Sequence, residues 1–136
     1  MKSLLLLSAF IAALAFSCSG QSRGEPVMEY RLSDRAAASW KEVKDDFNKK
    51  GFIPCLAQKK VKVSCAGCTA VIVRGVLHID STGRGFRFTK TYGRYCGSEL
   101  PLDVEKCFMN FFETVDFPPE LRGLSIQVDL GRGLKC

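Results

Sequence analysis

The chain has little of what most enzyme active sites use. It contains one histidine and one tryptophan in 136 residues, and it lacks the G-x-S-x-G, H-E-x-x-H and P-loop motifs. The histidine, His78, lies in a predicted strand with no serine or aspartate at motif spacing, so we interpret it as a strand residue rather than a base. Thiol chemistry is then the one enzymatic alternative, and we do not expect an enzyme.

The sequence also lacks low-complexity tracts and any apolar run long enough to cross a membrane. The longest apolar run, residues 3–16, would reach about 21 Å as a helix, against about 30 Å for a hydrocarbon core. Hydrophobic residues make up 46% of the chain and charged residues 25%, which is typical of an ordinary globular domain.

The apolar run belongs to a predicted secretory signal peptide, because it follows the basic start Met1-Lys2 and leads into small residues suited to cleavage. Residues 14–18, L-A-F-S-C, resemble the lipobox of bacterial lipoproteins. This resemblance implies cleavage before Cys18, a lipid on its thiol and a periplasmic or outer-surface protein anchored in the membrane. Ordinary cleavage after Ser17 or Gly20 is the alternative, and it would give a secreted protein.

These observations predict a simple domain organisation. We expect a signal peptide over residues 1–17, a polar tether over residues 18–32 and a single domain over residues 33–136. The net charge of +6 comes from scattered lysines and arginines without the aromatic pattern of RNA-binding motifs. We therefore expect a solvated basic surface and no nucleic-acid partner.

Cysteine is the residue that is unusually abundant. Of seven cysteines, six remain if Cys18 is lipidated or removed, and an even number in an exported protein favours disulfides. The sequence does not choose among the possible pairings. The disulfide candidates are Cys55, Cys65, Cys68, Cys96, Cys107 and Cys136.

Cys65 and Cys68 form a C-x-x-C motif that resembles the metal loop of copper metallochaperone domains. Such domains and thioredoxin-type redox sites place the second cysteine at the start of a helix. Here residues 69–73 are predicted as strand, which leaves little room for that helix. We expect structural bridging and no cofactor. Thiol–disulfide redox chemistry, or Cu or Zn binding at Cys65 and Cys68, is the alternative.

Hydrophobic periodicity predicts two helices. Ser33 or Asp34 is a suitable N-cap for a helix whose apolar stripe includes Trp40, and Gly51 is predicted to end this helix in the left-handed conformation. A second helix is predicted from Leu102 or Asp103 to the Pro118-Pro119 pair, which should end it. Its apolar residues are Val104, Cys107, Phe108, Phe111, Phe112 and Val115.

Alternating and β-branched segments predict the strands. They cover residues 61–65, 70–73, 76–79, 85–91 and 124–130, with Gly75 and the Ser81-Thr82-Gly83 stretch as turns. The sequence therefore predicts an α+β fold, with a small antiparallel sheet packed by two helices and stabilised by disulfides.

The second half of the chain carries several motifs in a fixed order. A strand leads into the turn Asp80–Gly83, a helix contains Cys107-Phe108, and Phe117-Pro118-Pro119 precedes a closing strand. This order resembles the C-terminal domain of TonB-family proteins, most closely the gliding-motility AgmX/PglI variant, over about residues 75–130. The resemblance implies a periplasmic interaction domain whose sheet edge accepts a strand from a partner, which is the β-augmentation mode of recognition.

The last strand is the predicted edge, because nothing after it is long enough to cover it. We expect its partner to be another envelope protein or an extended peptide. A secreted cysteine-rich effector is a further alternative. The predicted edge residues are Leu124, Ser125, Ile126, Gln127, Val128, Asp129 and Leu130.

Overall fold

The computed structural model describes residues 24–58, 70–95 and 97–133. The strands are β1 (Val27–Met28), β2 (Ala70–Ile79), β3 (Phe86–Tyr95), β4 (Ser98–Glu99) and β5 (Ser125–Gly133). The helices are α1 (Asp34–Asp46), α2 (Ile53–Gln58) and α3 (Leu102–Phe112), with a π-helical stretch Phe47–Phe52 between α1 and α2 and 3-10 turns at Glu29–Arg31 and Pro119–Leu121. The predictions for residues 1–17, Cys18, Cys65, Cys68, Cys96 and Cys136 lie outside the described residues.

The fold is α+β, with a five-stranded sheet in the order β1-β5-β2-β3-β4. The prediction of a purely antiparallel sheet is wrong, because β1 pairs with β5 in parallel while the other pairings are antiparallel. Within residues 18–32, which the sequence predicts as a tether, Val27 and Met28 pair with β5 and are followed by the 3-10 turn Glu29–Arg31 before α1.

Helix α1 begins as predicted, since the Ser33 side chain accepts a hydrogen bond from the Ala36 backbone N–H at 3.3 Å. Trp40 is buried at 3% exposure on the inner face of this helix. Gly51, however, does not end it, because the chain continues through the π-helical stretch into α2. A Cβ atom at Gly51 would lie 2.6 Å from Cβ of Phe111, so close approach of α3 explains this glycine.

Strand β2 joins two predicted strands into one. Gly75 was expected in a turn but lies inside the strand, where the register with β3 shifts. A Cβ at Gly75 would collide with the Thr89 carbonyl and the Phe88 ring, so the glycine permits close strand contact. The predicted turn after Ile79 is confirmed, and Gly83 adopts a φ of +75° there.

Helix α3 begins after Pro101 as predicted, but it ends at Phe112 rather than at Pro118. The Thr114 hydroxyl donates to the Phe111 carbonyl at 2.9 Å, which satisfies a carbonyl at the helix end. Val115 therefore lies beyond the helix, partly buried against the core.

The helices cover one face of the sheet and enclose a core rich in phenylalanine. Cys55 and Cys107 form a disulfide between α2 and α3, which confirms that the fold is disulfide-stabilised. For cysteines 52 positions apart, restriction of the unfolded chain contributes about 4 kcal/mol. Within the described residues, no helix is both long and apolar enough to cross a membrane.

Candidate strand-binding edge

Strand β5 contains most of the predicted edge residues, but it is not the outermost strand. It lies between β2 and β1, and β1 pairs with it only at Ile126 and Gln127. Sequence reasoning missed this pairing because a two-residue strand has no detectable alternation. Leu124 precedes the strand, and β5 continues past Leu130 to Gly133.

The residues of β5 alternate between two environments. Ile126, Val128 and Leu130 are buried in the core, whereas Gln127 and Asp129 are exposed on the opposite face of the sheet. This alternation fixes the register, because a shift by one residue would expose the apolar set.

Beyond the two residues of β5 that pair with β1, a side chain rather than a strand carbonyl accepts the next outward backbone hydrogen bond. The Glu29 carboxylate accepts a hydrogen bond from the backbone N–H of Asp129 at 3.1 Å, while its other oxygen accepts from Lys44 Nζ at 2.8 Å. The Asp129 N–H therefore points away from β2, toward the β1 side. Because residues two apart on a strand orient their amides alike, the N–H of Gln127 points the same way.

We call residues 27–32 the N-terminal strap. Its Glu29 connects the outer edge of β5 to α1, so the strap lies in a groove between these two elements. The 3-10 turn within it has no buried residue, and Tyr30 is 75% exposed. The strap is thus held by short strand pairing, by the carboxylate contacts of Glu29 and by Leu32, which packs against the core.

Open space lies on both sides of the strap. A cavity of about 420 Å³ is lined by Glu29, Tyr30 and residues of α1, and a second of about 440 Å³ lies between the strap and the outer face of the sheet. Trp40 and Asn48 both line the first cavity. Trp40 Nε1 and Asn48 Oδ1 are themselves buried and have no hydrogen-bond partner.

The opposite side of the sheet offers a second edge. Strand β4 pairs with β3 only at Arg94 and Tyr95, and no other described strand lies on the outer side of β3. This edge carries Arg87, Lys90 and Arg94, of which Lys90 pairs with Glu105 of α3. Charged side chains on an edge strand discourage strand addition, so the β5 edge is the better candidate.

The solvent-facing side of the sheet brings His78 to a partner that the sequence did not indicate. Its Nδ1 lies 2.8 Å from Ser125 Oγ on the neighbouring strand. His78 is flanked across the sheet by Ser125 and Arg87. The nearby carboxylate of Asp80 accepts hydrogen bonds from its own turn, at Thr82 and Gly83. The arrangement is a cross-strand hydrogen bond without the carboxylate of a catalytic triad.

The thiol alternative has no structural counterpart among the described residues. Cys65 and Cys68 lie outside them, and Cys55 and Cys107 are bonded to each other. No group of three or more histidine, cysteine, aspartate or glutamate side chains in the described part of the chain is arranged to hold a metal ion.

Comparison of the chain with protein-family models, with curated proteins and with solved structures finds no match. The functional argument therefore depends on the geometry of the chain itself.

Proposed function

We propose that this chain is an exported, lipid-anchored cell-envelope protein that binds another protein or an extended peptide by strand addition at the outer edge of β5. The observation that carries this proposal is the Asp129 N–H, which faces outward from β5 and is satisfied by the Glu29 carboxylate instead of a strand carbonyl. An outward backbone donor beside a groove is the feature that β-augmentation uses.

The order of elements supports the resemblance to the TonB-family C-terminal domain. Strand β2, the turn at Asp80, strand β3, the helix with Cys107-Phe108 and the closing strand β5 follow one another as in that family. The Cys55–Cys107 disulfide supports export, because such bonds persist in oxidising compartments. Export in turn is the setting in which Cys18 would carry a lipid and tether the domain to a membrane.

A proline at Gln127 tests recognition along β5. Gln127→Pro removes an outward N–H at a position that β1 covers in the free protein, and it leaves the amides that face β2. Gln127→Ala keeps the amide and serves as the matched control. We expect the proline variant to lose a partner captured from the native envelope by cross-linking, and the alanine variant to retain it. Equal capture by both variants, with both shown to be folded, would refute strand addition at this position.

The intact mass of the protein purified from its native envelope, before and after reduction and thiol alkylation, tests the anchor. We expect acylated Cys18 at the N-terminus and no thiol that reacts without reduction. An unlipidated chain in which Cys65 and Cys68 react readily, or are protected only by a metal, would refute the anchored reading and favour thiol chemistry.

A further inference from the structure

We propose that Lys44 and the backbone N–H of Asp129 form a carboxylate-recognition subsite in the groove between β5 and α1. The proposal rests on the proposed function and adds the chemistry of the partner to it. Glu29 of the strap occupies this subsite in the free protein. A partner segment takes its place by running parallel to β5 with two apolar residues followed by a glutamate.

The contacts of the strap define the ligand chemistry. Val27 and Met28 pair with Ile126 and Gln127 in parallel, and the next side chain, Glu29, reaches both donors of the subsite. An ammonium and a backbone amide that converge on one carboxylate give two charge-assisted hydrogen bonds, which are the stronger class. Val27, Met28 and Glu29 of the strap therefore show the sequence pattern that the groove binds, which is two apolar residues followed by a glutamate.

Solvent exposure distinguishes this ion pair from its neighbours on α1. The side chains of Lys44 and Glu29 are 30% and 28% exposed, whereas those of Lys41 and Asp45 are 78% and 51% exposed. Partial burial reduces screening by water and salt, so the Lys44 pair discriminates between carboxylate and amide more strongly than an exposed pair does.

The strap fills its groove incompletely. It pairs with only two residues of β5, and it leaves open a cavity of about 420 Å³ between itself and α1. A segment that continues past the position of Glu29 can reach this cavity, which gives a partner contacts that the strap itself does not make.

The test uses the full-length chain and a capped peptide of residues 24–32, G-E-P-V-M-E-Y-R-L, with a control peptide in which the second glutamate is glutamine. The protein carries Glu29→Gln, which removes the strap's own carboxylate from the subsite. Anisotropy of the labelled peptides gives affinity. Emission of Trp40, the single tryptophan, reports binding in the cavity that it lines.

We expect the acidic peptide to bind this variant at least about tenfold more tightly than the control peptide, and more tightly than it binds the wild-type chain. Adding Lys44→Gln should abolish the difference between the peptides. Adding Lys41→Gln should preserve it, because Lys41 lines the same cavity but pairs with Asp45.

Equal affinity for the two peptides, or discrimination that survives Lys44→Gln, overturns the carboxylate subsite. Absence of binding by either peptide to the folded Glu29→Gln chain also overturns it. In each of these cases the Gln127→Pro experiment decides separately whether strand addition at β5 stands. If the Gln127→Pro variant still fails to capture the native partner, strand addition at β5 stands and only the carboxylate subsite is refuted.

Discussion

Replacement of Phe112 by alanine should destabilise the protein severely. Phe112 is completely buried, and its ring lies 5.4 Å from those of Phe47 and Phe111, 5.8 Å from Phe86 and 6.1 Å from Phe117. These contacts connect the helical layer, the sheet and the loop after α3. Because the site is enclosed on all sides, the neighbours cannot collapse fully into the space that the ring leaves.

We expect a loss of about 4–5 kcal/mol in the free energy of unfolding, at the upper end of the range for buried phenylalanine. Phe111 is the matched control, because it is adjacent on the same helix but only partly buried. Its removal should cost about 2 kcal/mol, since less apolar surface leaves water on folding.

Urea unfolding with the disulfide intact measures both values, and far-UV circular dichroism and fluorescence should give coincident transitions. A loss below about 1 kcal/mol for Phe112→Ala, or a greater loss for Phe111→Ala than for Phe112→Ala, would refute the packing argument.

Two further perturbations test the sheet and its turn. Gly75→Ala should lower the free energy of unfolding in urea by about 2–3 kcal/mol, because the added Cβ meets the Thr89 backbone. Gly24→Ala is the control, because a Cβ there would have no atom within 4 Å. Equal effects of the two substitutions would contradict the close approach at Gly75. The Thr82 hydroxyl, followed by backbone amides, holds the pKa of Asp80 below its ordinary value of 3.8. The stabilisation by the carboxylate is thus fully present well above pH 3.8 and is lost as the pH falls through the lower folded pKa. The stability advantage over Asp80→Asn should therefore shrink on acidification in denaturant titrations, and an advantage that grows toward low pH would contradict this sign.

The starts of α1 and α3 and the Asp80 turn were predictable because their causes are local. The apolar stripe through Trp40 and the cap at Ser33 lie within a few residues of each other, and so do the side chain and amides of the turn. Helical periodicity also predicted the buried face of α3. The end of α3 was not predictable from proline alone, because Thr114 contributes to ending the helix before the prolines are reached.

The two glycine predictions that were wrong have one physical reason. A glycine is favoured either by a positive φ or by an atom that leaves no room for a Cβ, and the two cases look alike in a sequence. Gly83 belongs to the first class, whereas Gly51 and Gly75 belong to the second, with their obstacles on α3 and β3. The same dependence on distant residues hid the Cys55–Cys107 pairing and the His78–Ser125 contact.

The edge of β5 shows why a topological argument was insufficient for the candidate site. Strand β5 was the predicted edge, but the strap, which precedes α1 in the sequence, pairs with its outer side. The strap covers two residues with backbone pairing and a third amide with a carboxylate. Because that carboxylate is also paired with Lys44, the same side chain that closes the edge connects it to α1. We therefore expect neutralisation of Glu29 to weaken both contacts together, and under the proposed recognition an incoming strand with its own carboxylate would restore both.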